Sequence, residues 1–438
     1  MHIYLDSLGC VRNQVDSEIM LGKLVEADHT RCETPDIADV IVINTCAFIE
    51  SAAEEAIDEI LALSEWKKRG PCRKIIVAGC LPQRYGRQTA EALPEADVFL
   101  GTGAYESIAE AVESQWPAGT CLFPDPSRAR LQSWNTARIN DTWPVGYIKV
   151  MEGCGRHCTY CIIPELRGPL RSRQAEDIAA EAGLFADKDF SEIILVGQDT
   201  TSWGLDLDKG QLFADLLAKT AEKAPNKRIR FLYGHPDRID ERLLETVAKY
   251  PNICRYFDIP IQHASSKILK RMGRGYDSRQ LLLCIERIRD KIPDAALRTT
   301  VMVGFPGETD ADFEELLKFV EHVEFDHLGA FIYSDAQDLA SHRLNRHVAP
   351  QTAQDRHDIL MQRQADISLS KNQGKIGSLM EILVEARSEN GIFYGRSRYQ
   401  APEIDGVTFI KTKNAKIGTC MQTRITEADE YDLTGVPA

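Results

Sequence analysis

Three short apolar runs, each closing on a cysteine, constrain this chain more than any other feature. They are His2 to Cys10, Asp39 to Cys46 and Lys74 to Cys80. The second and third are rich in β-branched residues and bounded by polar ones, as buried parallel strands are. Helical patterns separate them, in Val15 to Leu24 and Ser51 to Leu63, and a further run, Asp97 to Leu100, ends at Gly101-Thr-Gly103. Strand and helix in alternation make a parallel sheet with helices on its faces. Ligands of such sheets bind beyond the carboxyl ends of the strands, so Cys10, Cys46 and Cys80 are expected to converge there. Gly9 and Gly79 beside two of these thiols let the backbone come close to whatever they hold. The competing reading is chance, because cysteine is commonly buried.

A second set of three follows in Cys154-Gly-Arg-His-Cys158-Thr-Tyr-Cys161. Zinc ordinarily takes four ligands in paired spacings, and a closed iron–sulfur cluster takes four cysteines. Three thiolates hold three irons of a [4Fe–4S] cluster and leave the fourth open to a small molecule. The triad Cys10, Cys46 and Cys80, with no fourth partner, implies the same. Three buried thiols or a partial zinc site are the alternatives.

At 438 residues the chain is long enough for two or three domains. Its start lacks the basic and apolar segments of a signal peptide, and no apolar run approaches a membrane span. Twelve cysteines in such a chain point to metal or redox chemistry in the cytosol rather than to disulfides. The formal charge is −14, and residues 1–125 hold 10 Lys/Arg against 21 Asp/Glu. No segment has the basic excess of a nucleic-acid footprint.

Six strand-like runs alternate with helical stretches in the centre: Val145–Glu152, Glu192–Gln198, Arg228–Tyr233, Tyr256–Ile261, Leu297–Val303 and Leu328–Ser334. They read as an open (β/α) barrel with the second triad in the loop after its first strand, the face where such barrels place their chemistry. Gln351 to Ser370 reads as a helix. From Gly374 onward short strands punctuated by glycine (at Met380, Ile392, Gly406 and Gln422) read as a small β-barrel. The fold class is therefore multidomain α/β. Residues 1–125 form a parallel-sheet domain, 140–370 a partial (β/α)6 barrel and 373–438 a β-barrel.

The aromatic Tyr160 before the third cysteine gives the form C-x3-C-x-aromatic-C, which resembles the radical S-adenosylmethionine (SAM) enzymes. Leu8-Gly-Cys10-Val-Arg-Asn13-Gln-Val-Asp16-Ser17-Glu18, Asn44-Thr-Cys46 and Gly79-Cys80-Leu-Pro-Gln-Arg-Tyr85 resemble the methylthiotransferases of that superfamily. The resemblance runs along nearly the whole chain. It implies two [4Fe–4S] clusters, a radical one on Cys154, Cys158 and Cys161 and an auxiliary, sulfur-carrying one on Cys10, Cys46 and Cys80. It also implies SAM as radical source and methyl donor, a flavodoxin- or ferredoxin-type electron donor, and a TRAM domain at the end. Tyr160 is placed near the adenine, and Gly197, Gln198 and Asp199 near the methionyl amine. Gln262, His263 and Gly304 fall in segments similar to the family's fourth- and fifth-strand motifs. A tight turn at Gly304 and a structural role for His263 are the alternatives.

Two branches of the family differ in substrate. The MiaB type modifies isopentenylated adenosine in tRNA, and the RimO type modifies an aspartate β-carbon of a small-subunit ribosomal protein. Gly395-Arg-Ser397-Arg-Tyr-Gln-Ala401-Pro402-Glu403-Ile404-Asp405-Gly406 and the acidic ending Glu427 to Leu433 resemble the RimO type. An acidic tail repels phosphate and attracts a basic protein, so the ribosomal protein is the expected partner and tRNA the alternative. A rival of another class is a non-catalytic iron–sulfur RNA-binding or assembly factor. The chain departs from the family at Asp335 to His342, a loop expected to border the substrate mouth. It departs again at Arg12, expected to be exposed, where lysine is usual. Arg167 to Arg173 either brings guanidinium forks to carboxylates or is a solvated charge run. Cys32, Cys72, Cys121, Cys254, Cys284 and Cys420 are read as packing residues.

Overall fold

The computed structural model describes residues 1–207 and 210–438. The N-terminal sheet has strands β1 (His2–Ser7), β2 (Thr30–Arg31), β3 (Val40–Thr45), β4 (Lys74–Gly79), β5 (Val98–Leu100) and β6 (Thr120–Leu122). All are parallel, in the order β2-β1-β3-β4-β5-β6. Every residue of β3 is buried, which is why its sequence is a continuous apolar run rather than an alternation. The first helix, α1 (Val11–Glu26), serves two cores. Met20 and Leu24 pack on the sheet. Val11, Val15 and Ile19, four residues apart and so on one stripe, pack against Tyr147, Ile194, Val196 and Tyr256 of the central barrel.

That barrel is built from β7 (Val145–Lys149), the short pair β8 (Met151–Glu152) and β9 (Arg171–Ser172), then β10 (Glu192–Val196), β11 (Arg228–Phe231), β12 (Tyr256–Asp258), β13 (Ala296–Val303) and β14 (His327–Ile332). It forms two parallel sheets, β7-β10-β11 and β12-β13-β14. The seam between them is carried by Ile229 N donating to Asn252 O at 2.9 Å and Cys254 N donating to Ile229 O at 2.8 Å. Six main strands in chain order, unclosed, are the open barrel that the six-fold βα pattern requires. Helix Pro350–Gln373, with proline in its first turn where the missing N–H costs nothing, leads to the last unit. There β15 (Leu379–Arg387), β16 (Phe393–Arg396), β17 (Thr408–Ile410), β18 (Cys420–Ala428) and β19 (Leu433–Pro437) close into a barrel.

Two expectations change here. The acidic ending is not a tail: Asp429 to Asp432 is the turn between β18 and β19, tied by Asp429 N donating to Asp432 O at 2.9 Å. The residues after it form the strand that closes the barrel between β17 and β18. Cys420 is exposed, not packed, whereas Cys32, Cys72, Cys254 and Cys284 are buried and Cys121 is half-buried. Cys420 opens β18, opposite Leu383.

The terminal barrel is docked on the amino ends of the central strands through buried charge. Glu192, the first residue of β10, faces Arg230 and Arg396, and all three are at most 1% exposed. Arg228 donates to Arg396 O at 3.0 Å and to Glu381 O at 2.9 Å. Tyr256 donates to Asp405 at 2.7 Å. Burial alone would raise the Glu192 carboxyl, but Arg230, Arg396 and Arg228 override it and hold it at about 2, against its ordinary 4.5. Such a group stabilises the fold fully above its unfolded pKa, and that stability is lost as pH falls from there through the folded value. Glu192→Ala leaves the buried Arg230 guanidinium without a carboxylate and takes one of two from Arg396, and is expected to cost ~3–5 kcal/mol at neutral pH. Urea titration checks this, and the gap between variant and wild type should shrink between pH 4.5 and 2.

Candidate functional site

The carboxyl ends of the N-terminal sheet and of the central barrel face each other, and each carries one triad. Cys10 stands at the N-cap of α1, Cys46 follows β3, and Cys80 follows β4. They are brought together: the field of Cys10 reaches Cys46, and those of both reach Cys80. Gly9 has φ +89°, and a Cβ there would lie 2.5 Å from Cys46 Cβ; Gly79 has φ +101°, with a Cβ 2.5 Å from Asn44 Oδ1. Only glycine fits either place. The surrounding polar residues hold the loops. Asn13 donates to Leu8 O at 3.1 Å and Thr45 O at 2.9 Å. Asn44 donates to Asn13 O and to Ser17 Oγ, each at 2.9 Å.

Cys154, Cys158 and Cys161 also converge, Cys161 lying in the field of the other two. Thr159 N donates to Met272 O at 3.0 Å and Thr159 Oγ1 to Arg271 O at 2.9 Å, pinning the loop to the segment after β12. The next residues tie this triad to the other, because Ile162 and Leu166 are buried in the apolar core of the N-terminal sheet beside Ala47, Cys80 and Leu81.

Each triad has guanidinium groups on its sulfurs. Arg12 Nε is 3.4 Å from Cys10 Sγ, Arg167 Nη2 is 3.7 Å from Cys80 Sγ, and Arg274 Nη1 is 3.5 Å from Cys158 Sγ. Burial pushes Cys80 up to about 11 and Cys161 up to about 12. Burial would raise Cys10 too, but Arg12 and Arg167 outweigh it and the thiol falls below its ordinary value. The donor chemistry fits the implied clusters: unpaired thiols in two sets of three, with cations placed to offset thiolate charge.

Arg12, expected to be exposed, is instead half-buried. It lies between the triads, with Nη1 donating to Gly197 O at 3.0 Å and its guanidinium 4.5 Å over the Tyr233 ring. Arg167 and Arg173 prove to be forks on carboxylates. Arg167 donates to Asp16 at 2.6 Å, and Arg173 pairs with Asp177 and Glu181 at 2.6 and 2.7 Å.

The residues assigned to SAM all have neighbours of their own. Tyr160 meets Phe305 edge-on at 6.4 Å and accepts from Arg274 at 3.4 Å. Gly197 leaves room for Met151, whose Cγ a Cβ would approach to 2.5 Å. Gln198 donates to Glu152 at 2.7 Å. Asp199 accepts from Ser202 at 2.7 Å and Thr201 at 3.1 Å and pairs with Arg156 of the cysteine loop. Gln262, at φ +68°, bridges β12 and β13 through its main chain. His263 is fully buried, with Nδ1 accepting from Ser265 N at 2.9 Å. Gly304 has φ +76°, and a Cβ would lie 2.6 Å from Ala353 Cβ of the long helix, so a packing role is built into it.

The loop Asp335 to His342 lies against the segment after Cys80. Together they line a cleft of about 910 Å³ with Glu50, Tyr85, Arg87 and Glu91. Arg84, its side chain 2% exposed, grips Asp338 bidentately at 2.7 Å and donates to Ala47 O at 2.7 Å beside Cys46. Sequence reasoning assigned no role to Arg84, Arg156 or Arg274, although Arg84 and Arg156 fell within motifs it singled out.

Comparison with known families now bears on this geometry. Residues 148–320 match the radical SAM superfamily, 2–101 the uncharacterized protein family UPF0004, and 376–437 the TRAM domain. The ribosomal protein uS12 methylthiotransferase RimO of Desulfosudis oleivorans is 48% identical over 437 residues, spanning 99% of each chain. The chain belongs to the RimO family. The RimO of Clostridioides difficile is 42% identical over 99% of this chain and 98% of its own. Among solved structures, the radical SAM methyltransferase TsrM from Kitasatospora setae shares the fold at TM-score 0.58 and 10% identity, over 84% of this chain and 89% of that one. The cobalamin-dependent radical enzyme OxsB does so at TM-score 0.51 and 15% identity, over 84% and 56%.

Arg84→Ala removes one buried clamp on both the Cys46 loop and the loop at 335–342. Amide hydrogen exchange in residues 46–49 and 335–342 is expected to speed up about 10- to 100-fold, the worth of hydrogen bonds to a charged group. Unchanged protection in both segments would show that the clamp is not what orders them.

Proposed function

We propose that this protein adds a methylthio group to the β-carbon of an aspartate in ribosomal protein uS12. The observation that carries this reading is the full-length similarity to RimO proteins together with two cysteine triads held at facing strand ends. The sheet triad falls within residues 1–125, the barrel triad within 140–370, and the terminal barrel within 373–438. Cys154, Cys158 and Cys161 would hold the radical cluster and Cys10, Cys46 and Cys80 the auxiliary one. When bound, these clusters and SAM supply the hydrogen-abstracting radical and the methylthio group, with electrons from a flavodoxin- or ferredoxin-type donor.

The chain's own residues bind, orient and exclude water. Arg12, Arg167 and Arg274 place hydrogen-bond donors on the cysteine sulfurs, which tunes cluster potential. Tyr160, Gln198 and Gln262 are the residues that would meet SAM on this reading. Ile162 and Leu166 seal the ground between the triads with apolar packing. This reaction requires no side-chain acid or base.

The test uses reconstituted, reduced protein with SAM, offered uS12 and unmodified tRNA in parallel, with mass spectrometry for a methylthio gain. Gain on the aspartate supports the reading, gain on tRNA adenosine redirects it to the MiaB type, and no 5′-deoxyadenosine at all would favour a non-catalytic binder. Alanine at Cys154, Cys158 or Cys161 is expected to abolish SAM cleavage. Alanine at Cys10, Cys46 or Cys80 is expected to leave uncoupled cleavage measurable while stopping sulfur transfer. Methylthiolation surviving in the second set would exclude the auxiliary role.

A further inference from the structure

The reaction proposed above brings a carboxylate into the space between the triads, since the reacting β-carbon of an aspartate is bonded directly to one. A buried carboxylate needs a cation with free donors. The cations around this space are nearly all committed. Arg167 and Lys149 face Asp16 and Glu152, Arg156 faces Asp199 and Asp237, and Arg298 faces Asp258. Arg274 spends all three of its nitrogens on Tyr276, Tyr160, Cys158 and Pro260. Arg12 differs. Its Nε is on Cys10 and its Nη1 on Gly197 O, it pairs with no carboxylate, and among the described residues its Nη2 has no hydrogen-bond partner.

Its support is unusual too. Tyr233, whose ring lies 4.5 Å beneath the guanidinium, has φ +61°, a left-handed backbone that costs an aromatic residue of order 1–3 kcal/mol. The strain is held from both sides, by Tyr233 N donating to Asp258 at 2.8 Å and by Thr200 N donating to Tyr233 O at 3.0 Å. The chain thus maintains a strained platform under one half-free guanidinium, and that guanidinium touches a cysteine of the auxiliary triad.

We infer that Arg12 is the receptor for the side-chain carboxylate of the substrate aspartate, carried on the Tyr233 ring between the two triads. Holding that carboxylate places the β-carbon one bond away, beside Cys10. This rests on the RimO-type reading and adds the residue that selects aspartate over its uncharged analogue. The free N–H donors of a charged guanidinium pair with a carboxylate and offer the neutral carboxamide of asparagine no such match.

The experiment measures equilibrium binding of uS12, carrying either aspartate or asparagine at the target position, to cluster-loaded protein, with iron content determined for each variant. Wild type is expected to prefer the aspartate form by about 10- to 100-fold, the worth of hydrogen bonds to a charged group. Arg12→Gln should bind both forms alike, and Arg12→Lys should keep part of the preference. Preference unchanged in Arg12→Gln at full iron content overturns the inference, as does its absence in wild type. If Arg12→Gln loads less iron, Tyr233→Ala decides: removing the platform should lower the preference, and an unchanged one overturns the assignment. Failure of wild type to modify uS12 at all would instead sink the functional reading.

Discussion

A buried charge network at the junction of sheet and barrel holds the two triads at one spacing. Asp16 of α1 accepts from Lys149 of β7 and from Arg167, which follows the second triad. Lys149 also pairs with Glu152, and Gln198 donates to Glu152 at 2.7 Å. Two carboxylates and two cations balance, and Lys149, Arg167 and Asp16 are all buried. Burial by itself would raise Glu152, yet Lys149 and Arg167 bring it to about 2. Such networks add little net stability over an apolar core, but removing one member leaves an uncompensated charge. What the network contributes here is geometric: sliding the sheet along the barrel would break several charged bonds at once. Arg167 carries that constraint to the chemistry, because the group that fixes Asp16 also lies 3.7 Å from Cys80 Sγ.

The same economy appears in α1. One stripe of the helix packs on its own sheet and another on the barrel, while its N-cap is Cys10 and its second residue is Arg12. A single rigid element therefore sets the auxiliary triad, the cation between the triads and the docking of the two units. Carboxyl strand ends are used for the site in both units, and the amino ends of the barrel are given to the terminal domain.

How much of this was legible in the sequence follows from what is local. Strand-end cysteines and their glycines are local patterns, so both triads and the parallel sheet were readable from spacing and periodicity. Arg12 was not, because its surroundings come from Gly197 and Tyr233, more than 180 residues away. Glu427 to Leu433 looked like a charged tail because short strands leave little signal, and β19 becomes a strand only through pairing with β17 and β18. Asp199 and Gly304 carry family motifs, yet Asp199 faces Arg156 and Gly304 makes room for Ala353; neither partner is inferable from motif spacing.

The segment Gly395 to Gly406 shows how a family signature can be structural. Arg396 reaches Glu192 and Glu385, Ser397 and Gln400 bond each other, and Asp405 accepts from Tyr256 and Ala401 N. All of this lies at the amino ends of the barrel strands, opposite the triads. The motif that most resembled one branch of the family therefore does not touch the reacting space; it sets how the terminal barrel sits on the core. On the proposed function, choice of the reacting residue would rest with the few groups between the triads. A signature far from the chemistry can still track substrate class, because a barrel fixed in one orientation presents one surface to the partner.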